Sequence, residues 1–436
     1  MVRPGVAAAL VVGAWSAGAS AQVAAPAPDR LAIGDWRLAP VLEARSRGEY
    51  RWDLDAQHRG FLVERARLGL DVERSAFEAR VVLQDARVWD LAGGNDQLWE
   101  PGAVASTEAF EAWGEVHSNS IRPAFLRVGR QPVTWGEGRL LGASDWAPRA
   151  RSLDAVRALL PVGDGAFELL GASIPDDALG IQAVGELFGA RGEWVYRPLF
   201  AVEAYVLARL AHAANNNDLS VRGQTYTGAL RLHGDGHAWA WGVEGAYQLG
   251  RAEDVNGGED RAAWAAAAHV GHTFEHVSGL PTIRVAASYA TGDDGSGTYH
   301  AFDQMLPDVH VWHGAMDLFG WSNQAEVSAR VAVSPLADTV AAVEYRYARL
   351  VQPGDAWRTD YLVQIGRVPA NTRADLGHEV DAVFAWSPWL SLELTAGYSL
   401  LLLGDGARAV LAATVPGSGP PSVSHYAYAQ GTVRLF

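Results

Sequence analysis

The sequence contains no cysteine and no lysine among its 436 residues. Without cysteine, disulfides, zinc–thiolate sites and thiol catalysis are excluded. All 35 basic side chains are arginines, set against 50 acidic residues, and the formal net charge is −15. Such an acidic chain argues against nucleic acid as a partner, because nucleic acid calls for a basic face. The absence of lysine fits a GC-rich coding sequence, and it makes every positive site a guanidinium, the group best matched to carboxylate and phosphate.

Long apolar runs are missing beyond the first residues. Residues 1–21 read as a secretory signal peptide, with Arg3 at its positive start, an apolar stretch at 6–15 and small residues at 19–21 before Gln22. In residues 22–436 the apolar runs, such as AAWAAAAHV (262–270), fall far short of the roughly 18 residues that a membrane helix needs. We therefore predict a mature chain of residues 22–436 without a membrane-spanning helix.

What recurs along the chain is the alternation of apolar with small, polar or charged side chains. In the stretch 65–72, Leu68 and Leu70 face one side, whereas Arg65, Arg67 and Asp71 face the other. A period of two is typical of β-strands, and about 18 such segments predict a large sheet. Two of these segments, 179–188 and 191–209, are separated by a predicted turn near Ala190.

The connections between the segments alternate in length. They are short after even-numbered segments, as in VGDG (162–165) and PLAD (335–338). After odd-numbered segments most are long: 48–60, 88–107, 134–150, 250–261, 292–320, 351–375 and 404–424. Short turns at one end and long loops at the other are typical of an outer-membrane β-barrel, whose strands need only about 9–11 residues to cross the bilayer.

We therefore predict an all-β fold, a single transmembrane antiparallel β-barrel of about 18 strands with short periplasmic turns and long extracellular loops. The 17 tryptophans suit aromatic girdles at the two membrane interfaces, and the alternating end YAYAQGTVRLF suits a last strand. The alternative, a soluble β-sandwich or propeller, explains the alternation. It does not explain the signal peptide, the loop asymmetry and the aromatic C-terminus together.

Several stretches resemble the alginate export family of outer-membrane porins. They are FLVERARLGL (61–70), RVGRQPVTWGEGRLLG (127–142) with DWAPRARSLDAVR (145–157), YATGDDGSGTYHAFDQMLPDVHVWHGAMDLFGWSN (289–323) and LGHEVDAVFAW (376–386). The resemblance covers nearly the whole mature chain. It implies an 18-stranded barrel in the bacterial outer membrane, with an arginine-rich constriction through which a polyanion passes. The family name is broader than its founding substrate, so the resemblance does not single out alginate.

Arginines on the inner face of a barrel are the usual device for anion selectivity. Alternation places Arg65, Arg67 and Arg127 inward, since an arginine facing lipid at the bilayer midplane costs about 2–4 kcal/mol. The family block adds residues in or beside the third long loop that would line the constriction if this loop folds inward: Arg130, Arg139, Arg151, Asp154 and Arg157. Glutamates such as Glu115 and Glu244 also face inward, so each arginine has an alternative role as the structural partner of an acid.

The leading functional hypothesis is a channel for passive export of an anionic, alginate-like exopolysaccharide. The alternative is an uptake porin, either general or selective for small anions or sugars. A third hypothesis is a barrel enzyme acting on lipids, but no G-x-S-x-G, P-loop or G-x-G-x-x-G motif is present, and we predict no enzyme and no cofactor. The expected partners are the anionic polymer or solute, outer-membrane lipid and, by resemblance, a periplasmic export subunit.

The stretch SYATGDDGSGTYHAFDQM (288–305) combines acids and glycines in one segment. As a calcium loop starting at Asp293 it has Gly295 and Gly297 where oxygen ligands belong, and Gln304 in place of the bidentate glutamate. We therefore predict no metal site of that type. The segment is expected to run from a strand into a long extracellular loop at the rim of the pore.

Overall fold

The computed structural model describes residues 31–435 apart from 53, 56, 92–105, 121, 175–183, 198–199, 214–222, 237, 255–256, 362 and 415–418. The predicted signal peptide lies outside these residues and stays a prediction. Alternating sequence gives long strands: β1 (Leu31–Ile33), β2 (Trp36–Trp52), β3 (His58–Arg74), β4 (Phe77–Asp90), β5 (Ser106–His117), β6 (Phe125–Gln131), β7 (Leu153–Val162), β8 (Gly165–Ile174), β9 (Val184–Arg197), β10 (Phe200–Ala213) and β11 (Gly223–Gly236).

The second half of the chain continues the same pattern. Its elements are β12 (Trp239–Asp254), β13 (Gly257–Thr273), β14 (Thr282–Ala290), β15 (Thr298–Tyr299), β16 (Gln324–Val333), β17 (Thr339–Leu350), β18 (Trp357–Arg358), β19 (Gln364–Gly366), β20 (Asp375–Trp389), β21 (Leu392–Leu403), the helix α1 (Asp405–Thr414) and β22 (Val423–Leu435). Among the described residues, no helix is both long enough and apolar enough to cross a membrane.

Eighteen of these strands form one closed antiparallel sheet, which confirms the predicted barrel. The wall consists of β2 to β14, β16, β17 and β20 to β22, each paired with its neighbours in the chain. The last strand closes on the first, with Leu42 opposite Leu435 and Trp52 opposite His425. Closure gives every wall strand two hydrogen-bonded neighbours, which a sheet in hydrocarbon requires.

The connections at one end of the barrel, here called the turn end, are two to eight residues long, as at 75–76, 163–164 and 274–281. At the opposite loop end, the longest connections are 132–152, 291–323, 351–374 and 404–422. Three details of the prediction are wrong. Ala190 lies within β9 instead of at a turn, the predicted loop 250–261 is mostly the paired ends of β12 and β13, and β2 and β3 extend into the predicted loop 48–60.

The loops at the loop end fold into the barrel and build an apolar core there. Trp135, Leu140, Phe302 and Leu306 pack against inward-facing side chains of β7 to β14. A second core joins α1 and the loop residues around Phe319 and Trp357 to β17 and β20 to β22. The lumen is therefore packed with loop residues toward the loop end, whereas polar and charged residues line it toward the turn end.

Candidate functional site

The inner face of the wall carries the arginines that alternation predicts to point inward. On β3, Leu68 and Leu70 are 59% and 42% exposed on the outer face, whereas Arg65 is 2% exposed on the inner face. Arg127 of β6 lies opposite Arg157 of β7 in register, again on the inner face. The pleat of each strand thus separates lipid-facing aliphatic side chains from guanidiniums in the lumen.

Arg65 and Arg67 bind two carboxylates, one from the wall and one from a loop. Arg65 Nη2 lies 2.6 Å from Glu43 Oε1 and 3.1 Å from Asp145 Oδ2. Arg67 Nη2 lies 2.9 Å from Asp145 Oδ1, and its Nε donates to Gln84 Oε1 at 2.9 Å. Partial desolvation inside the barrel opposes the ionisation of Asp145, but Arg65 and Arg67 outweigh that effect and hold its pKa well below the usual range. Asp145 is therefore ionised at neutral pH.

Arg127 and Arg157 occupy the neighbouring part of the wall and are closer to solvent. Arg127 Nε donates to Glu115 Oε2 at 2.8 Å, and its guanidinium lies 3.7 Å from the centre of the Trp113 ring. Arg157 Nε donates to Glu168 Oε1 at 2.7 Å. Because 23% of the Arg127 side chain and 15% of the Arg157 side chain remain accessible, both guanidiniums are reached from the lumen.

Arg139 and Arg151 lie in the loop 132–152, which folds inward as the family block suggested. The Arg139 guanidinium stacks 3.9 Å from the Trp312 ring, beside Glu137 and Glu244. Arg151 is 2% exposed, and its Nη1 donates to the carbonyls of Gly142, Leu306 and Pro307. Burial lowers the pKa of Arg151 to about 10, so it keeps its charge at neutral pH. Arg151 thus ties two loops together rather than facing open lumen.

Arg130 and Asp154 are placed differently from the prediction, because their side chains lie on the outer face of the wall. They are paired across β6 and β7, with Arg130 Nε 2.8 Å from Asp154 Oδ1. Val128 and Val156, which share that face, are 51% and 47% exposed. The neutralised pair sits at the loop-end border of an apolar surface, where two opposite charges are tolerated at lower cost than one.

On the opposite side of the lumen, acids and arginines alternate in a second cluster. Arg231 Nη2 lies 3.0 Å from Glu137 Oε1, and its Nη1 lies 3.2 Å from Glu203 Oε2. Arg191 bridges Glu203 and Glu193 at 3.3 and 2.9 Å. The alternation did not anticipate the loop acid Glu137 in this cluster. Burial by itself would raise the pKa of Glu137. The positive charges of Arg139, His269 and Arg231 outweigh burial, so the pKa of Glu137 lies below its usual value.

The segment 288–305 runs from β14 into a long loop as expected, and residues 294–297 are exposed, but residues 301–305 are buried instead of lying at an exposed rim. Phe302, Asp303 and Gln304 are 1%, 7% and 1% exposed inside the barrel. Asp303 forms an ion pair with Arg209 of β10, and Gln304 Nε2 donates to Asp360 Oδ1 at 3.1 Å. The physical reason is that apolar side chains on the inner faces of β7 to β14 need a cover, which the loop 291–323 supplies.

One group of described residues has donors spaced for a metal ion. Ligand atoms of Glu78, Glu115 and His117, at the turn end of the lumen, lie within 4.8 Å of one another. Glu115 is already bound by Arg127, so a cation there competes with a guanidinium. The three residues offer the carboxylate and imidazole donors that a divalent metal ion uses. In this structure Glu115 among them belongs to the arginine–glutamate ion pairs of the lumen.

Taken together, the lumen arginines are compensated by acids. These guanidiniums are therefore not bare positive charges, and an anion that binds to one of them must compete with a protein carboxylate. Sequence reasoning missed Asp145 and Trp312, because loop residues carry no alternation that assigns them to a face. Their places in the family blocks at 145–157 and 289–323 were the only signal.

Comparison with known proteins agrees with this architecture. The family model for alginate export matches residues 41–416. A search of curated proteins gives no significant match. Among solved structures, OccAB1 of Acinetobacter baumannii superposes with a TM-score of 0.59 at 11% identity, covering 95% of this chain and 99% of that one.

Two Pseudomonas aeruginosa structures are similar to the same extent. OccK2 (OpdF) in complex with glucuronate gives a TM-score of 0.56 at 10% identity, covering 92% of this chain and 97% of that one. The outer membrane protein OprD gives 0.57 at 10% identity, covering 91% and 93%. At these identities the likeness concerns the fold. Together with the family match over nearly the whole chain, it identifies an outer-membrane β-barrel channel, and the chain belongs to the alginate export family.

Proposed function

We propose that this protein is an outer-membrane channel for the passive export of an anionic, alginate-like exopolysaccharide. The observation that carries the proposal is the match to the alginate export family over residues 41–416. A polymer of sugar acids carries one carboxylate per acidic residue, so its passage calls for repeated guanidinium contacts along the lumen. The inner face of this barrel offers such contacts.

The side of the lumen formed by β2 to β7 and β22 supports this proposal best. We call its water-accessible residues the arginine sector: Arg67, Arg80, Arg127, Arg157 and Arg434. Each of these side chains is between 10% and 29% exposed and each contacts a glutamate or aspartate. A polymer carboxylate moving along the sector exchanges with these acids one contact at a time. The loops packed at the loop end must yield to a chain that crosses the barrel.

The second candidate is uptake of a small anionic solute such as a uronate. It is favoured by one observation, the fold likeness to OccK2 (OpdF), whose structure contains glucuronate. The same arginine sector serves either direction, because a passive channel has no direction of its own. The size of the solute separates the two candidates, since export of a polymer requires passage of oligomers.

Proteoliposomes provide the test. Vesicles that contain the purified protein are loaded with fluorescent uronate oligomers, and release is followed over time. The proposal predicts release of oligomers as well as of monomeric uronate, and slower release of neutral glucose oligomers of equal length. Release of monomeric uronate alone favours the uptake porin. Equal release of neutral and acidic oligomers contradicts a channel that recognises carboxylates.

A periplasmic export subunit is part of the same proposal. The turn-end connections among the described residues are short, so they leave the lumen mouth accessible to a partner. A pull-down of periplasmic extract with the detergent-solubilised protein, followed by mass spectrometry, tests for it.

A further inference from the structure

The carboxylate of Asp145 is held in the lumen like a bound ligand. Each of its oxygens faces one wall guanidinium, with Oδ2 3.1 Å from Arg65 Nη2 and Oδ1 2.9 Å from Arg67 Nη2. The Arg65 side chain is fully covered, whereas 42% of the Asp145 side chain is accessible. The carboxylate thus lies between buried donors on one side and lumen water on the other. A dissolved carboxylate binding to Arg65 and Arg67 from the lumen would take this position.

The loop tip does not depend on this carboxylate for its place. Arg45 donates to the carbonyls of Asp145, Trp146 and Ala147 at 2.6, 3.1 and 2.8 Å. Arg47 Nη1 donates to the carbonyl of Trp146 at 2.9 Å, and the Arg47 guanidinium lies 3.9 Å from the Trp146 ring. Arg65 Nη1 adds a bond of 2.9 Å to the carbonyl of Asp145. Backbone contacts therefore anchor residues 145–147 even when the side chain moves.

The charge balance around Asp145 also favours an exchangeable anion at this position. Arg45, Arg65 and Arg67 approach one another here, and Asp145 and Glu43 are the acids that face them. Glu43 belongs to the wall and is shared with Arg434 at 3.1 Å, so it stays in place. When Asp145 turns away, Arg67 and one edge of Arg65 lose their loop partner and face water. The site then attracts another carboxylate.

We propose that Asp145 is an intramolecular competitor, which fills a carboxylate-binding subsite formed by Arg65 and Arg67 until a uronate carboxylate of the solute displaces it. The inference rests on the proposed function for the identity of the solute. The subsite itself is defined by the Asp145 contacts. Passage of a uronate past this point then exchanges one carboxylate for another without creating an unpaired guanidinium.

The direct test is the binding of glucuronate to Asp145→Asn, measured by isothermal titration calorimetry in detergent. The variant keeps the backbone contacts and the side-chain size but removes the competing charge. We expect glucuronate to bind roughly tenfold more tightly than to the wild type, because a charge-assisted site is vacated. Asp154→Asn is the matched control, since it removes an arginine-paired aspartate on the outer face and is expected to leave glucuronate binding unchanged.

Two further measurements make the outcome decisive. In the double variant Asp145→Asn, Arg67→Gln, the gain in affinity should disappear. Equal glucuronate affinity of wild type and Asp145→Asn, with both variants shown to be folded by circular dichroism, overturns the proposal. The proposed export function is judged separately by oligomer release from wild-type proteoliposomes. If glucuronate binds tightly to Asp145→Asn but wild-type proteoliposomes release no oligomers, the subsite is supported and the export function is contradicted.

Discussion

At the scale of single residues, the side of the strand decides what a charged residue does. Arg127 and Arg130 are three positions apart on β6, yet Arg127 contacts Glu115 in the lumen and Arg130 contacts Asp154 on the outer face. Only Arg127 can meet a solute. The two arginines are therefore a natural pair for separating a role in conduction from a role in the stability of the wall.

Arg127→Gln should weaken anion preference, whereas Arg130→Gln should not. Removing one partly solvated guanidinium weakens the attraction for a permeating anion by about 0.5 kcal/mol. This loss lowers the anion-to-cation permeability ratio by roughly a factor of two. The ratio is obtained from reversal potentials in a salt gradient across a planar bilayer. A larger effect of Arg130→Gln than of Arg127→Gln would contradict the assignment of the two faces.

The side of the wall on which a charged residue lies was predicted correctly from alternation. It was predicted wrongly for Arg130 and Asp154, where the family resemblance was followed instead of alternation. Arg65, Arg67 and Arg127 were assigned by parity, and the structure places their side chains in the lumen. Arg130 and Asp154 were taken from the family block, although Arg130 shares the parity of the outward Val128. Their role as lining residues had no support from the strand itself. Asp145 lies in a loop, where no periodicity assigns a direction.

At the scale of elements, the inward-folded loops are held by close packing against the wall. Gly189 of β9 is one example, because a Cβ atom built on it would lie 2.6 Å from the Trp135 ring. The predicted turn near Ala190 failed for this reason. The glycine is needed for the approach of a loop tryptophan and does not mark a break in the strand.

Gly189→Val should destabilise the barrel by displacing Trp135, at a cost of about 1–3 kcal/mol for overpacking. Gly228→Val is the matched control, since Gly228 lies on the outer face of β11 with no atom within 4 Å of a built Cβ. Thermal unfolding followed by tryptophan fluorescence should show a lower midpoint for Gly189→Val alone. Equal midpoints for the two variants would mean that loop 132–152 is not packed as described.

The junction between loops 291–323 and 351–374 should respond to pH through Asp360. This side chain is fully buried, and it accepts hydrogen bonds from Gln304 Nε2 at 3.1 Å and from the backbone of His310 at 2.9 Å. Burial raises its pKa to about 7. Between about pH 4 and pH 7 the unfolded chain has released this proton while the folded protein retains it, so stability falls as pH rises through that window.

Asp360→Asn should flatten this dependence, because the amide does not titrate. The measurement is the unfolding midpoint of both proteins between pH 4 and pH 8. The wild type should lose stability relative to the variant as pH rises to 7 and show a constant difference above it. A constant difference across the whole range would show that Asp360 has no raised pKa.

Strand boundaries were hardest to predict from the sequence where a loop covers the inner face of the strand. Strands with lipid on one face and water on the other alternate clearly, and these gave the strand count. Strand β10 carries alanine and leucine on both faces, and β13 carries alanine on both faces, because loops cover their inner side. In such strands the period of two is blurred, and the boundaries near 190 and 250–261 were misplaced.

At the scale of the whole molecule, a net-acidic protein carries an arginine-rich interior. Its 35 arginines and 50 acids are not evenly spread, and the lumen holds both signs in contact. In the proposed function, such paired charges allow a solute carboxylate to bind and leave by exchange with a protein carboxylate. Family membership and the closed barrel were foreseen from sequence, but this pairing of loop acids with wall arginines required the structure.

If the proposed function is right, the lumen passes carboxylated sugars. The most direct measurement is single-channel recording of the purified protein in planar bilayers, with uronate oligomers or neutral glucose oligomers of the same length added to one side. We expect anion-selective conductance that uronate oligomers interrupt at concentrations where glucose oligomers have no effect. Cation-selective conductance that uronate oligomers leave unchanged would contradict it.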